Sequence, residues 1–192
     1  MPKTVAVLVG SLRRDSLSKK LALAIADLAP SDLTFDLVPI ADLPLYNEDL
    51  ETHEPPAAWT AFRNRIRNAD AVLFVTPEYN RSIPAALKNA VDVGSRPYGK
   101  NVFNGKPTAI VSTSLGALGG FGANHHLRQA LSFLNMPLLP QPEAYIGNTS
   151  QLFDEHGKLT NESTEQFLRQ FAESFANWIR KNSVGVATEK AA

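Results

Sequence analysis

Every position from Val5 to Val9 is apolar, and Gly10 closes the run. An unbroken block of this kind fits a strand buried on both faces, as in a parallel sheet. From Leu17 to Leu28 the spacing becomes helical through Leu17, Leu21, Ala24, Ile25 and Leu28, and Pro30 marks the end. Phe35 to Ile40 reads as a second, weaker strand, followed by a polar loop rich in turn formers over residues 44–56. Ala57 to Asn68 is helical through Trp59, Phe62 and Ile66. Ala71 to Val75 is a third apolar block, and Pro77 is expected to end that strand by forcing Thr76 out of the helical region. Ile83 to Val93 reads as a helix with Ser82 as N-cap and Pro84 in the first turn.

Thr108 to Ser112 is a fourth strand, and Gly116, Gly119, Gly120 and Gly122 predict a mobile loop able to bring backbone close to a ligand. Helix resumes over Asn124 to Leu134, and a short fifth strand lies between Leu138 and Ile146 among prolines. Glu162 to Arg180 is a long amphipathic helix through Phe167, Leu168, Phe171, Phe175, Trp178 and Ile179. Residues 1–182 are expected to form one domain, with 183–192 a frayed, disordered tail. Five alternations of strand and helix predict an α/β fold, a doubly wound parallel sheet with helices on both faces. Such sheets bind ligands beyond the carboxyl ends of their strands. Three loops leave strand ends there: 10–18, 76–82 and 112–122.

Composition narrows the partners. Nineteen basic residues balance nineteen acidic ones, so no strong field draws nucleic acid or an anionic membrane. With no cysteine, disulfides, thiolate metal sites and a cysteine nucleophile are excluded. No run approaches the roughly 20 apolar residues of a membrane span, and Met1-Pro2-Lys3 followed by a short apolar strand does not read as a signal peptide. A cytoplasmic protein is expected. His125 and His126 are helical neighbours pointing about 100° apart, a poor chelating pair, so no metal site is expected.

The first loop, GSLRRDSLS, precedes a helix whose free N–H groups favour an anion. Ser11, Ser16 and Ser18 add hydroxyls, and Arg13 or Arg14 a guanidinium fork suited to phosphate. The same residues also make an ordinary turn with Ser16 as N-cap and solvated arginines. The second loop, TPEYNRSIP, offers the aromatic face of Tyr79 and the polar Glu78 and Asn80, or equally a Pro-Glu turn with a packed tyrosine. The third, STSLGALGGFGA, could present backbone N–H groups to a planar ligand, or be a flexible surface loop. Taken together, the three suit a ligand with a phosphate at one end and a flat heterocycle at the other.

These stretches, with HLRQAL after them, resemble the flavodoxin-like NAD(P)H-dependent FMN reductases, a family that includes chromate, quinone and azo reductases. The similarity runs from about Thr4 to about Lys181. It implies a five-stranded parallel sheet in the order 2-1-3-4-5 and non-covalent FMN, with NADPH or NADH as electron donor. Ser11, Arg13, Ser16, Leu17 and Ser18 would hold the phosphate, Pro77, Glu78, Tyr79 and Asn80 would border the ring, and Ser112, Ser114 and Gly116 would lie along its other edge. The resemblance also implies a homodimer whose second subunit completes the site, with tetramers among some relatives. The chain departs from the common family pattern at Ser18, usually Asn; at Arg81, usually Tyr; and at Gly122 and His125, usually Arg and Tyr. Arg81 is a candidate for contact with the nucleotide or an anionic acceptor.

The implied activity is a ping-pong transfer, from nicotinamide to FMN and then to quinones, chromate, azo compounds or free flavin. Because the cofactor carries the chemistry, no catalytic side chain is expected, only donors near Ser112 to Gly116 for the charge that develops on reduction. The alternative is a flavodoxin-type electron carrier without NAD(P)H oxidation of its own. A receiver-type signalling domain is excluded, because the positions needing acidic residues hold Gly10 and Thr76.

Overall fold

The computed structural model describes residues 2–183. Its five strands are β1 (Lys3–Val9), β2 (Leu33–Leu37), β3 (Ala71–Pro77), β4 (Thr108–Thr113) and β5 (Ala144–Ile146). They form one parallel sheet in the order β2-β1-β3-β4-β5. The order reverses between β1 and β3, which is where doubly wound sheets open a crevice. The helices are α1 (Leu17–Leu28), α2 (Ala57–Asn68), α3 (Ala85–Ser95), α4 (Phe121–Phe133) and α5 (Glu162–Ser183). Among the described residues no helix is long and apolar enough to cross a membrane.

The unbroken apolar strands follow from two cores, one on each face. Val5 and Val7 of β1 pack with Leu21 and Ile25 of α1 and with Leu168, Phe171 and Phe175 of α5. Ala6 and Leu8 point the other way, toward Trp59, Phe62 and Ile66 of α2, Leu87 of α3 and Leu127 and Leu131 of α4. Period-two alternation is therefore present in β1, but both phases are apolar because both faces are covered.

Several boundaries differ from the sequence reading, and four of them have a clear local reason. β2 lies at Leu33–Leu37 rather than Phe35–Ile40. Val38 donates the last bond of that edge, to the Val7 carbonyl at 3.0 Å. Pro39 then has no N–H to give, and Val38 and Ile40 drop into the core beneath α2 instead. β3 does not stop before Pro77: Thr76 and Pro77 pair with Ser112 and Thr113 of β4. The pre-proline restriction favours extended backbone, so it continues a strand as readily as it ends one. α3 begins at Ala85 with Pro84, not Ser82, at the N-cap, because Ser82 closes a tight turn with Tyr79. α4 starts three residues earlier than expected, at Phe121, with Gly120 as N-cap. At the carboxyl end Ser183 still belongs to α5, and the rest of the expected tail, 184–192, lies outside the described residues.

Candidate functional site

The carboxyl ends of β1, β3 and β4 are neighbours, so the three loops stand side by side at one edge of the sheet. The first is tied to the second strand end by the Gly10 N–H, which donates to the Val75 carbonyl at 2.9 Å. Beyond it residues 12–15 are exposed, Ser11 is half-buried, and Ser16 and Ser18 are buried. Ser16 is the N-cap of α1: its hydroxyl oxygen accepts from the Lys19 N–H at 3.1 Å, leaving its own proton free to donate. The N–H groups of Leu17 and Ser18 in the first helical turn find no acceptor among the described residues, nor do the Ser11 and Ser18 hydroxyls or the Arg13 and Arg14 guanidinium groups. A helix start thus collects two backbone donors, three hydroxyl donors and two guanidinium groups with no acceptor among the described residues. That donor set matches a phosphate monoester.

The second loop is a two-residue hairpin. Tyr79 and Ser82 exchange N–H···O bonds of 2.9 Å in both directions, with Asn80 at φ 50° and Arg81 at φ 65°. Two positive φ values mark a type I′ turn, for which Asn is well suited and Arg is not; left-handed backbone costs a non-glycine residue about 1–2 kcal/mol. The turn is fastened to α4. The Ala123 N–H donates to Glu78 Oε2 at 3.0 Å, and Ser82 Oγ meets His126 Nδ1 at 2.9 Å. At Gly122 any Cβ would come within 2.7 Å of the Arg81 carbonyl oxygen and 2.9 Å of Glu78 Oε2, so only glycine lets the two backbones approach this closely. Tyr79 stands at the rim, 50% exposed.

The glycine-rich third loop is exposed over residues 115–118 and packed at Gly119 and Gly120. Gly119 is buried against the β5 backbone, and Thr149 Oγ1 donates to the Ser114 carbonyl at 2.8 Å while touching the Thr113 hydroxyl. Ser114 Oγ donates to the Gly116 carbonyl at 2.8 Å. The N–H groups of Leu115 and Gly116 are donated to no other described residue.

Most of the expected site residues therefore share one edge: Ser11, Arg13, Ser16, Leu17 and Ser18 around the start of α1, Pro77, Tyr79 and Asn80 at the end of β3, and Ser114 and Gly116 beyond β4. Two do not fit their expected parts. Ser112 is fully enclosed, its hydroxyl engaged by Asn124 Nδ2 at 3.3 Å and the Ala144 carbonyl at 3.4 Å, so its side chain has no open face. Glu78 lies along this edge, but its carboxylate serves the start of α4, where a negative charge complements the helix dipole. Sequence reasoning missed an apolar rim of exposed Leu12, Leu115, Leu118 and Phe121. The three leucines sit in loops, where no periodicity marks them.

Beside the rim, Phe121, His125 and Tyr145 form an aromatic group, with His125 Nε2 3.0 Å from the Tyr145 hydroxyl. Burial, then hydrogen bonding to Glu143, pushes the Tyr145 phenol up to about 12, so it stays protonated at neutral pH. Neither histidine belongs to a metal-binding cluster among the described residues. A hollow of about 930 Å³ lies at the opposite edge of the sheet and is lined by Lys3, Asp70, Lys100 and Lys106 among others. Lys3 and Asp70 pair there at 2.9 Å and Lys106 reaches the Arg67 and Ala69 carbonyls, so these polar groups are already partnered.

Similarity to known proteins extends over most of the chain. Residues 3–151 match the sequence model of the family described as NADPH-dependent FMN reductase. A quinone reductase of Pseudomonas putida is 59% identical over 179 residues, covering 93% of this chain and 96% of that protein. A 2-hydroxy-1,4-benzoquinone reductase of a Burkholderia species is 48% identical over 184 residues, covering 96% and 100%. Among solved structures, the flavoenzyme NAD(P)H:(acceptor) oxidoreductase FerB of Paracoccus denitrificans superposes with a TM-score of 0.88 at 44% identity, covering 94% of this chain and 98% of that one.

Proposed function

The chain belongs to the NADPH-dependent FMN reductase family, and from that premise we propose that it reduces quinones in a ping-pong cycle, with the nicotinamide donor and the quinone using one cleft in turn. FMN, when bound, would supply the redox chemistry between the nicotinamide donor and the quinone. The residues of the chain bind and orient. The observation that carries this reading is the unengaged donor set at the start of α1, at the switch point of the sheet.

Ser11, Ser16 and Ser18, the Leu17 and Ser18 N–H groups and Arg13 would hold the FMN phosphate. Pro77, Tyr79 and Asn80 would border the ring on one side. Along the other edge, the free N–H groups of Leu115 and Gly116 are donors for the negative charge that reduction places on the ring, a part the enclosed Ser112 hydroxyl cannot take. Leu12, Leu115, Leu118 and Phe121 leave an apolar rim, which favours a flat apolar acceptor such as a quinone over the chromate oxyanion; azo compounds and free flavin are acceptors of the same shape. Dependence on reduced nicotinamide nucleotides supports a cytoplasmic role. A homodimer whose second subunit completes the site belongs to this reading as what membership of the family implies.

The purified protein is expected to be yellow, to hold close to one FMN per chain, to gain thermal stability from added FMN, and to oxidise NADH or NADPH unaided when a quinone is present. A flavodoxin-type carrier would bind FMN without oxidising either donor. A colourless protein that FMN does not stabilise would overturn the reading.

A further inference from the structure

The Asn80–Arg81 turn places an arginine where the backbone prefers glycine or asparagine, and the surrounding structure holds it there. The reciprocal Tyr79–Ser82 bonds fix the turn. Ser82 is bonded to His126, Glu78 to the Ala123 N–H, and Gly122 lies against the Arg81 carbonyl. Strain that is over-determined by neighbours points to a use for the strained residue. The Arg81 side chain is 76% exposed, and its one ion-pair contact, Nη1 to Glu78 Oε1, is 3.6 Å, beyond hydrogen-bond reach. Glu78 meanwhile is held by the α4 N-terminus. The guanidinium therefore keeps its N–H fork for an incoming group, on a backbone that is already positioned.

We infer that Arg81 binds the 2′-phosphate of NADPH and so sets the preference of the site between NADPH and NADH. This rests on the reductase reading above. The two donors differ only in that phosphate monoester, which carries nearly two negative charges at neutral pH. An arginine fork accepts such a group through two parallel charge-assisted bonds. Arg81 follows Tyr79 and Asn80, which border the ring, so it stands where the outer end of a donor lying across the cleft arrives. The pyrophosphate common to both donors would not distinguish them.

The test titrates the FMN-loaded protein with adenosine 2′,5′-bisphosphate and with 5′-AMP, and measures kcat/KM for NADPH and NADH. Wild type is compared with Arg81→Ala, Arg81→Lys and Arg81→Gly. The alanine and glycine variants are expected to bind the bisphosphate about tenfold more weakly and to lower the NADPH:NADH ratio of kcat/KM by a similar factor, with lysine between them and wild type. Arg81→Gly should also raise the Tm, because it relieves the left-handed strain, so loss of phosphate binding would not track loss of structure. Equal changes for both donors, or an unchanged bisphosphate affinity in all three variants, would overturn the assignment. A protein that oxidises neither donor would overturn the reductase reading instead, and the bisphosphate titration would still read Arg81 separately.

Discussion

The two edges of the sheet are built from similar residues put to opposite uses. At the amino-terminal edge, polar groups satisfy each other. Asp70 receives the Lys3 ammonium at 2.9 Å and the Thr4 N–H at 2.8 Å, and Lys106 Nζ donates to the Arg67 and Ala69 carbonyls at the end of α2, where a cation suits the helix dipole. Where the chain there turns through positive φ, at Gly105 and Asn135, the residues tolerate it. At the carboxyl-terminal edge, serine hydroxyls, two arginines and several backbone N–H groups have no partner among the described residues, and an arginine occupies a left-handed turn. Paired charge at one edge contributes stability. Unpaired donors and strain at the other are what a ligand must complete. Substitutions at the two edges should therefore separate: those at the carboxyl edge move cofactor and donor binding, those at the amino edge move stability alone.

The largest expected effect tests whether the third loop belongs to the binding edge or is only its scaffold. Gly119 has φ 60°, and a Cβ there would lie 2.7 Å from the Tyr145 carbonyl oxygen and from the Ile146 N–H nitrogen. Backbone cannot give way as a flexible side chain can, so Gly119→Ala should cost about 3 kcal/mol or more. It should also weaken FMN binding, because the Leu115 and Gly116 N–H groups move with the loop. Thermal unfolding with and without FMN checks both. A variant that binds FMN as tightly as wild type would show that the loop is scaffold only.

The second effect lies inside the first loop. Arg13→Ala should weaken FMN binding by about 1.5–3 kcal/mol, tenfold or more, whereas Arg14→Ala should change it little. Both side chains are exposed and have no partner among the described residues, so stability of the FMN-free protein should hardly move in either case. Flavin fluorescence titration of the two variants decides it. Equal losses would mean that the loop attracts the phosphate by general charge rather than through one fork.

Much of this contrast was legible in the sequence. The apolar blocks of β1, β3 and β4 marked the middle of the sheet because those strands are buried on both faces, whereas the edge strand β2 is only partly buried, and the helix over Leu17 to Leu28 came out at its observed bounds with Ser16 as its cap. What failed was information held by distant partners. The side chain of Ser112 looks like a ligand donor until Asn124, twelve residues on, is seen to claim it. Glu78 looks like a cleft residue until α4 starts three residues early and presents the Ala123 N–H to it. Ser82 looks like an N-cap until the positive φ angles of Asn80 and Arg81 close a hairpin ahead of it. The apolar rim had no periodic signature because Leu12, Leu115 and Leu118 lie outside helices and strands. Local pattern read the elements; contacts between loops of different strands decided which side chains stayed free.

The smallest expected effect is the control at the amino edge. Burial alone would raise the Asp70 pKa, but the hydrogen bonds from Lys3 and from the Thr4 N–H outweigh it and hold the carboxyl below its ordinary value. A folded-state value below the unfolded one means that the carboxylate stabilises the fold above the unfolded pKa, and that this contribution fades as pH falls through the folded value. Both partners are partly exposed, with side-chain accessibilities of 42% for Lys3 and 33% for Asp70, so solvent screens the pair. Asp70→Asn should then cost no more than about 1 kcal/mol at neutral pH. The gap between wild type and variant should narrow as the pH drops below the ordinary aspartate value of about 3.9 and on through the lower folded-state value. FMN content and the NADPH:NADH ratio should be unchanged throughout, because the site lies at the far ends of the same strands. Tm measured across pH for both proteins, each with its flavin content, makes the comparison. A shift in flavin content at this edge would mean that the division between a stabilising edge and a binding edge does not hold.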